Sequence, residues 1–389
     1  MKPLLPNTYV LNNKYLQSII SPSTDIIDYN FSSDQIHKLN LLQILRPDIY
    51  FNKKLSENEF FDLSKRYYQR LIDEKIIYKS ENDYFLYRID SEGHSQTGLI
   101  SLLNIQDYIN RNIKPHEKIL VSKGKERADQ LSKVKFQLSP IYLFYDDENI
   151  DLNLDIHHDK KPLIKFKSGK YTHSIYKTNT DFTGINFKEL FVADGHHRIE
   201  GFAQLDVNKD TKFLSIVFPK SKCLNLAYNR SVKFPDAYNK DSFISDLKTY
   251  FHVEELKYHE KIDRFFVIYY QGKYFKIDLK NDFSTNGADC IDFGEFVLKE
   301  ILNIQDETTD QRVEFVPPSL GTDYLINQVD TGITDLSTLM RPVSMDLVIE
   351  YSKNLKFMPP KATWFEPKPL DGLFFYKIIE LFINLEEKY

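Results

Sequence analysis

Leu190-Phe191-Val192-Ala193-Asp194-Gly195-His196-His197-Arg198-Ile199 joins a short apolar run to a stretch with helical spacing. Leu190 to Ala193 reads as a buried strand, and Asp194-Gly195 is a turn pair. Beyond it Ile199, Phe202 and Ala203 recur at i, i+3 and i+4, giving a helix one apolar face. The two imidazoles and the guanidinium therefore stand on the first turn of a helix. There the backbone N–H groups and the helix dipole favour an anion. Arg198 adds a planar fork suited to phosphate or carboxylate, and each histidine can exchange protons near neutral pH. A plain cap would need the aspartate but not the His-His-Arg that follows. The reading is a phosphate or small-anion site at a strand–turn–helix junction.

The 389 residues carry 51 Lys+Arg against 56 Asp+Glu. This balance argues against duplex nucleic acid as a partner, since such binders are usually basic. Two cysteines, Cys223 and Cys290, make neither a disulfide framework nor a metal set. No apolar stretch approaches the ~20 residues of a membrane span, and the start lacks the apolar region of a signal peptide. A cytoplasmic setting without membrane contact is the expectation. Leu373 to Leu385, interrupted by Lys377 and Glu380, reads as an amphipathic terminal helix.

Strand-like segments (Tyr84 to Ile89, Gly98 to Leu103, Ile141 to Tyr145) alternate with helical ones. The helical segments are Glu57 to Glu74, Lys125 to Val134, Asp241 to Phe251 and Phe293 to Leu302. Polar breaks at Asp146 to Asp155 and an interruption at Pro235 suggest three closely packed parts: 1–145, 146–234 and 235–389.

Three further clusters carry chemistry. In Ile113-Lys114-Pro115-His116-Glu117-Lys118 the proline ends any preceding helix and fixes His116-Glu117 on a turn. A carboxylate beside an imidazole can serve as a general base or hold Mg²⁺. Met358-Pro359-Pro360-Lys361-Ala362-Thr363-Trp364-Phe365-Glu366-Pro367-Lys368 is stiffened by proline. Its two lysines could contact phosphates, and Trp364 with Phe365 could stack on a ring or wall off water, against the alternative of a rigid crossover on the core. Tyr228-Asn229-Arg230 is a polar cluster after the apolar Leu214 to Phe218 run. The Walker loop, the Gly-x-Gly-x-x-Gly turn and the His-Glu-x-x-His helix are missing.

In this order the clusters resemble the DUF1015 family. The resemblance is carried by Gly98 to Lys118, Ser139 to Asp147, Val192 to Arg198, Ala227 to Lys233 and Leu339 to Leu373. The sequence departs from the family pattern at Ile119, at Glu126-Arg127 and at Pro317-Pro318. The family's Asp-Gly-His-His-Arg segment is similar to the phosphate-binding segment of the ParB/sulfiredoxin superfamily, which includes free-serine kinases. The resemblance implies an α+β fold: a mixed sheet forming a ParB/sulfiredoxin-like nucleotide-binding core, with N- and C-terminal α/β additions. It also implies a phosphotransferase acting between a nucleotide, ATP or ADP, and a small hydroxyl metabolite such as serine or phosphoserine.

On that reading Gly195, His196, His197 and Arg198 hold phosphates, and Asp194 binds Mg²⁺ or orients a histidine. Glu117 takes the hydroxyl proton with His116 beside it, and Lys361 and Lys368 neutralise charge on the transferred group. Arg230, Arg127 and Asn229 hold the substrate. A homo-oligomer is compatible with all of this. The alternative is a nucleotide-binding switch of ParB type without catalysis.

Overall fold

A computed structural model describes residues 1–20, 36–80, 83–117, 121–150, 152, 161–205, 210–257, 265–283, 285 and 287–378. The fold is α+β. The chain forms two compact units, one of Met1–Pro115, Ile119–Cys223 and Pro367–Tyr389, the other of His116–Lys118 and Leu224–Glu366. The divisions read from the sequence fall elsewhere, after residues 145 and 234.

The first unit is built on a mixed eight-stranded sheet. Its order is Ile113–Lys114, Leu190–Asp194, Ile141–Tyr145, Lys212–Pro219, His94–Asn104, Tyr84–Ser91, Tyr171–Thr178 and Ile164–Ser168. Two of its pairings are parallel, Leu190–Asp194 with Ile113–Lys114 and Lys212–Pro219 with Ile141–Tyr145; the others are antiparallel. Burial explains why the interior strands read as unbroken apolar runs. Every residue of Ile141–Tyr145 is buried, whereas in the edge strand Ile164–Ser168 only Ile164 is buried and Lys165 and Lys167 are exposed. Leu143, Val192, Phe213 and Val217 of this sheet join Ile199 and Phe202 of the His196–Gln204 helix in one core. Burying each such side chain contributes about 1.5–3 kcal/mol.

That helix packs on the Val121–Val134 helix, and Gly124 permits the approach. A methyl group at Gly124 would lie 2.5 Å from the Gln204 side-chain nitrogen. The segment around Lys123-Gly124-Lys125 is therefore a helix contact at its glycine. The helix Glu57–Asp73 starts where the sequence places it, with Ser56 and Glu59 forming a reciprocal capping box.

A second, four-stranded sheet in this unit corrects the expected terminal helix. Phe374–Lys377 is a strand, set between Thr8–Leu11 and Phe136–Gln137. Its apolar residues satisfy a sheet interior as well as a helix face, and pairing with two strands decides for the sheet. Residues 379–385 of the expected helix lie outside the described residues.

The second unit carries an antiparallel six-stranded sheet. Its order is Phe251–Leu256, Lys273–Leu279, Val267–Tyr270, Leu336–Leu339, Asn229–Val232 and Val313–Val316. Leu224–Leu226 pairs separately with Trp364–Glu366. The expected Phe293–Leu302 helix forms as a wide-turned π-helix, Phe293–Ile301, continuing the short helix Asp289–Asp292. Among the described residues no helix is long and apolar enough to cross a membrane.

Candidate functional site

The strand Leu190–Asp194 delivers Asp194 to the end of the sheet, and Gly195 turns the chain into the helix. Gly195 sits at φ 99°, ψ 24°, a left-handed conformation that side-chain-bearing residues rarely adopt. Space is restricted as well: a Cβ here would lie 3.1 Å from the Arg198 guanidinium and 3.2 Å from Ile141. The Gly195 carbonyl accepts the N–H groups of Arg198 and Ile199, closing the first turn. As the helix cap, glycine supplies no side-chain oxygen to compete with an incoming anion.

Asp194 organises the charges around this turn. Its Oδ2 accepts from Arg198 Nη2 at 2.8 Å, and its Oδ1 lies 3.0 Å from Lys368 Nζ. Arg198 also faces Asp371, with Nη1 3.9 Å from Oδ1. These side chains are about one-third exposed or less. Burial pushes the Asp194 carboxyl up, but Lys368 and Arg198 outweigh it and hold the group well below the usual carboxylate range. The carboxylate stays charged and fixes both cations in place.

His196 is only 5% exposed, and burial lowers its pKa to about 3, against the pull of Asp194. It is a neutral imidazole inside the unit. His197, one residue on, is half-buried. The sequence reading treats the two alike, whereas the helix sends one inward and leaves the other partly accessible.

The segment that brings Lys368 and Asp371 is tied to the main sheet of the same unit. Gln96 Nε2 donates to the Pro367 carbonyl at 2.8 Å, and the Leu370 N–H donates to Tyr87 Oη at 3.1 Å. Tyr87 hydrogen-bonds His173 Nδ1 at 2.8 Å, and burial lowers the His173 pKa to about 4. The Tyr87 hydroxyl thus donates to a neutral ring and accepts from the segment. Tyr87, His173, Gln96 and Asp371 were not singled out from the sequence. Their role depends on strand pairing, for which local spacing gives no signal.

The remaining candidates lie in the second unit, apart from Arg127. His116 is 1% exposed and hydrogen-bonds Thr363 Oγ1 at 2.9 Å. Glu117 bridges to Met358, and its Oε1 accepts the Lys361 N–H at 3.2 Å. Lys361 Nζ stands 3.3 Å from Tyr228 Oη and 5.1 Å from the centre of that ring. His116, Glu117 and Lys361 are therefore brought together, and Lys368 is held in the first unit with Asp194.

Arg230 corrects the expectation of a substrate-binding arginine. Its side chain is fully buried, paired with Glu307 at 3.1 Å and stacked 4.5 Å from the Phe315 ring centre. Nη1 donates to the carbonyls of Tyr228 and Lys361, and Nη2 to that of Pro360. Its donors are spent on bracing the Pro/Lys segment. Asn229 is similarly engaged, its Oδ1 accepting the Met340 N–H at 2.9 Å. Trp364 and Phe365 are 3% and 1% exposed, and the Trp364 indole donates to Glu366 at 2.6 Å. They belong to the unit's interior rather than to a stacking surface. The Arg127 side chain lies outside the described residues.

Each Asp194 carboxylate oxygen faces one cation, Arg198 on Oδ2 and Lys368 on Oδ1. Among the described residues no group of three or more His, Cys, Asp or Glu could hold a metal ion. Asp194 is an anchor for Arg198 and Lys368.

Several solved structures are similar to this chain. A free serine kinase in complex with AMP shares 13% identity, with 68% of this chain and 86% of that chain covered and a TM-score of 0.38. A conserved hypothetical protein from Pyrococcus furiosus gives 13%, 72%, 95% and 0.40 for the same quantities. SbnI with C-terminal truncation from Staphylococcus aureus gives 13%, 70%, 85% and 0.39. A search of curated proteins gave no match. The profile described as "Protein of unknown function (DUF1015)" matches residues 3–306, ending before the Leu339 to Leu373 segment that also carries the resemblance. That match spans most of the 389 residues, and the chain belongs to the DUF1015 family.

Proposed function

We propose that the protein is a small-molecule phosphotransferase that moves a phosphoryl group between a nucleotide and a hydroxyl metabolite. One observation carries this reading: Asp194 holds Arg198 and Lys368 together beside a glycine-opened helix N-terminus. Phosphoryl transfer asks mainly for positioning and charge neutralisation, and a pre-fixed pair of cations supplies both. The Gly195 turn with His197 and Arg198 would receive the phosphates, and Lys368 would neutralise charge on the transferred group. Glu117, with His116 beside it and Lys361 bonded to it, is assigned to take the hydroxyl proton. Serine or phosphoserine as the metabolite, ATP or ADP as the nucleotide, and a ParB/sulfiredoxin-like core all rest on the family resemblance.

The alternative is a nucleotide-binding switch without catalysis. The hydrogen bond from the Lys361 N–H to Glu117 fits this reading, since a carboxylate that braces the Pro/Lys segment has a structural use without any proton transfer.

Incubation with Mg²⁺, L-serine and each of ATP, ADP and CTP, followed by ³¹P NMR, separates the two. The reverse direction starts from phosphoserine with ADP or AMP. The phosphotransferase forms or consumes phosphoserine, and both His197→Ala and Glu117→Gln lose that turnover. Nucleotide-dependent line broadening without turnover, insensitive to Glu117→Gln, would replace the enzyme reading with the switch.

A further inference from the structure

Beside the charged turn the first unit contains a cavity of about 110 Å³. It is several times the ~10–15 Å³ that one water needs, and of the order of the ~150 Å³ cavity that accepts a benzene. Phe60, Tyr68, Leu131, Phe136 and Phe202 line it, together with Arg198. The wall is thus apolar and aromatic, and the cation that lines it is the one Asp194 holds. The Tyr68 and Phe136 rings are stacked, 4.5 Å apart and 10° from parallel.

A second feature points to an occupant. Tyr68 is 2% exposed, and its hydroxyl is buried with no hydrogen-bond partner among the described residues. A buried polar group left unpaired costs about 1–3 kcal/mol, so such a group in a binding pocket is a recognition feature. Gln137 also lines the cavity, but its amide is committed: Nε2 donates to the Ser139 and Leu214 carbonyls, and Oε1 accepts the Leu214 N–H. Tyr68 lines the same cavity, and its hydroxyl is left unpaired among the described residues.

We propose that this cavity receives the base of the nucleotide: one planar ring seated among Phe60, Phe136 and Phe202, an edge atom bonded to Tyr68, and phosphates on the Arg198 side. The assignment rests on the phosphate-site reading and adds to it the part of the ligand that gives selectivity. An apolar ring linked to an anion is what an aromatic cavity lined also by a fixed guanidinium selects. A free phosphate or a short aliphatic phosphate would leave the cavity unfilled and the tyrosine hydroxyl unmet.

Calorimetric titration with ATP, CTP and tripolyphosphate tests this on the full chain. Val134 also lines the cavity, and Val134→Phe fills it without touching the charged turn. Tyr68→Phe removes only the hydroxyl and keeps the ring. The expected result is nucleotide affinity at least tenfold weaker in Val134→Phe and several-fold weaker in Tyr68→Phe, with tripolyphosphate binding unchanged in both. If Val134→Phe does not fold, Tyr68→Phe carries the test alone. Nucleotide binding unaltered by these changes, or weakened equally with tripolyphosphate, overturns the assignment. A wild type that binds tripolyphosphate as tightly as ATP and CTP also overturns it, while the phosphate site stands. A wild type that binds none of the three removes the phosphate-site reading together with this one.

Discussion

Asp194 gives one carboxylate oxygen to Arg198 at 2.8 Å and the other to Lys368 at 3.0 Å, so two cations from distant parts of the chain share one anchor. The guanidinium matters for its shape as much as for its charge. It reaches Asp194 through Nη2 and faces Asp371 through Nη1, a fork that an ammonium cannot reproduce. Arg198→Lys is therefore expected to weaken ATP binding about tenfold, roughly 1.4 kcal/mol, with little change in thermal stability. Calorimetric titration beside a melting curve checks this, and affinity within twofold of wild type would refute it.

Gly195→Ala should do more damage than its size suggests. Alanine at φ 99° is strained, and its methyl group would press on Arg198 and Ile141. A loss of about 1–3 kcal/mol in chemical denaturation is expected, together with weaker tripolyphosphate binding. A variant as stable as wild type would show that the turn relaxes without cost.

Two buried histidines make the first unit acid-sensitive. His173 and His196 are held at about 4 and about 3, below the 6.5 of an ordinary imidazole, chiefly by burial. Between pH 6.5 and 4 the unfolded chain takes up protons that these folded side chains refuse. Their contribution is complete above pH 6.5 and falls as the pH drops, by up to about 1.4 kcal/mol per pH unit for each group. His173→Gln should flatten the dependence by about one group's share, or about 1–2 kcal/mol between pH 6.5 and 5. Urea denaturation at several pH values measures it, and an unchanged slope would count against the buried neutral ring.

Tyr68→Phe should stabilise the protein in the absence of nucleotide by about 1 kcal/mol, because it removes an unpaired buried hydroxyl and keeps the packing. A stability gain coupled to a binding loss is the signature of a group kept for recognition. Loss of stability in urea denaturation would mean that the hydroxyl is satisfied within the fold.

Arg230→Met should act on stability. It leaves Glu307 and three backbone carbonyls without their donor, and breaking a buried ion pair from one side costs about 3–5 kcal/mol. A well-folded Arg230→Met variant with only a raised KM would restore a substrate role to this side chain.

The Asp194–Arg198 segment was legible because its signals are local. An apolar run, a turn pair and a helical repeat follow one another, and the strand, the Gly195 turn and the helix appear in that order. Lys368 was chosen for its charge, but its contact with Asp194 depends on Gln96 and Tyr87 placing the segment. Arg230 misled because an arginine in a polar triplet looks exposed, while the pairing of Asn229–Val232 with strands on both sides takes it inside. Phe374–Lys377 misled for a related reason. Four residues have too little length to separate a helical from a strand period, and only their partners decide.

The four-stranded sheet of the first unit also sets an order of events during synthesis. Phe374–Lys377 pairs with Thr8–Leu11 on one side and Phe136–Gln137 on the other. Neither of those earlier strands can find this neighbour until the chain as far as Lys377 has left the ribosome. Until then Thr8–Leu11 waits with one edge unpaired, an opening for pairing with other chains, and closure of the sheet is a late, long-range step.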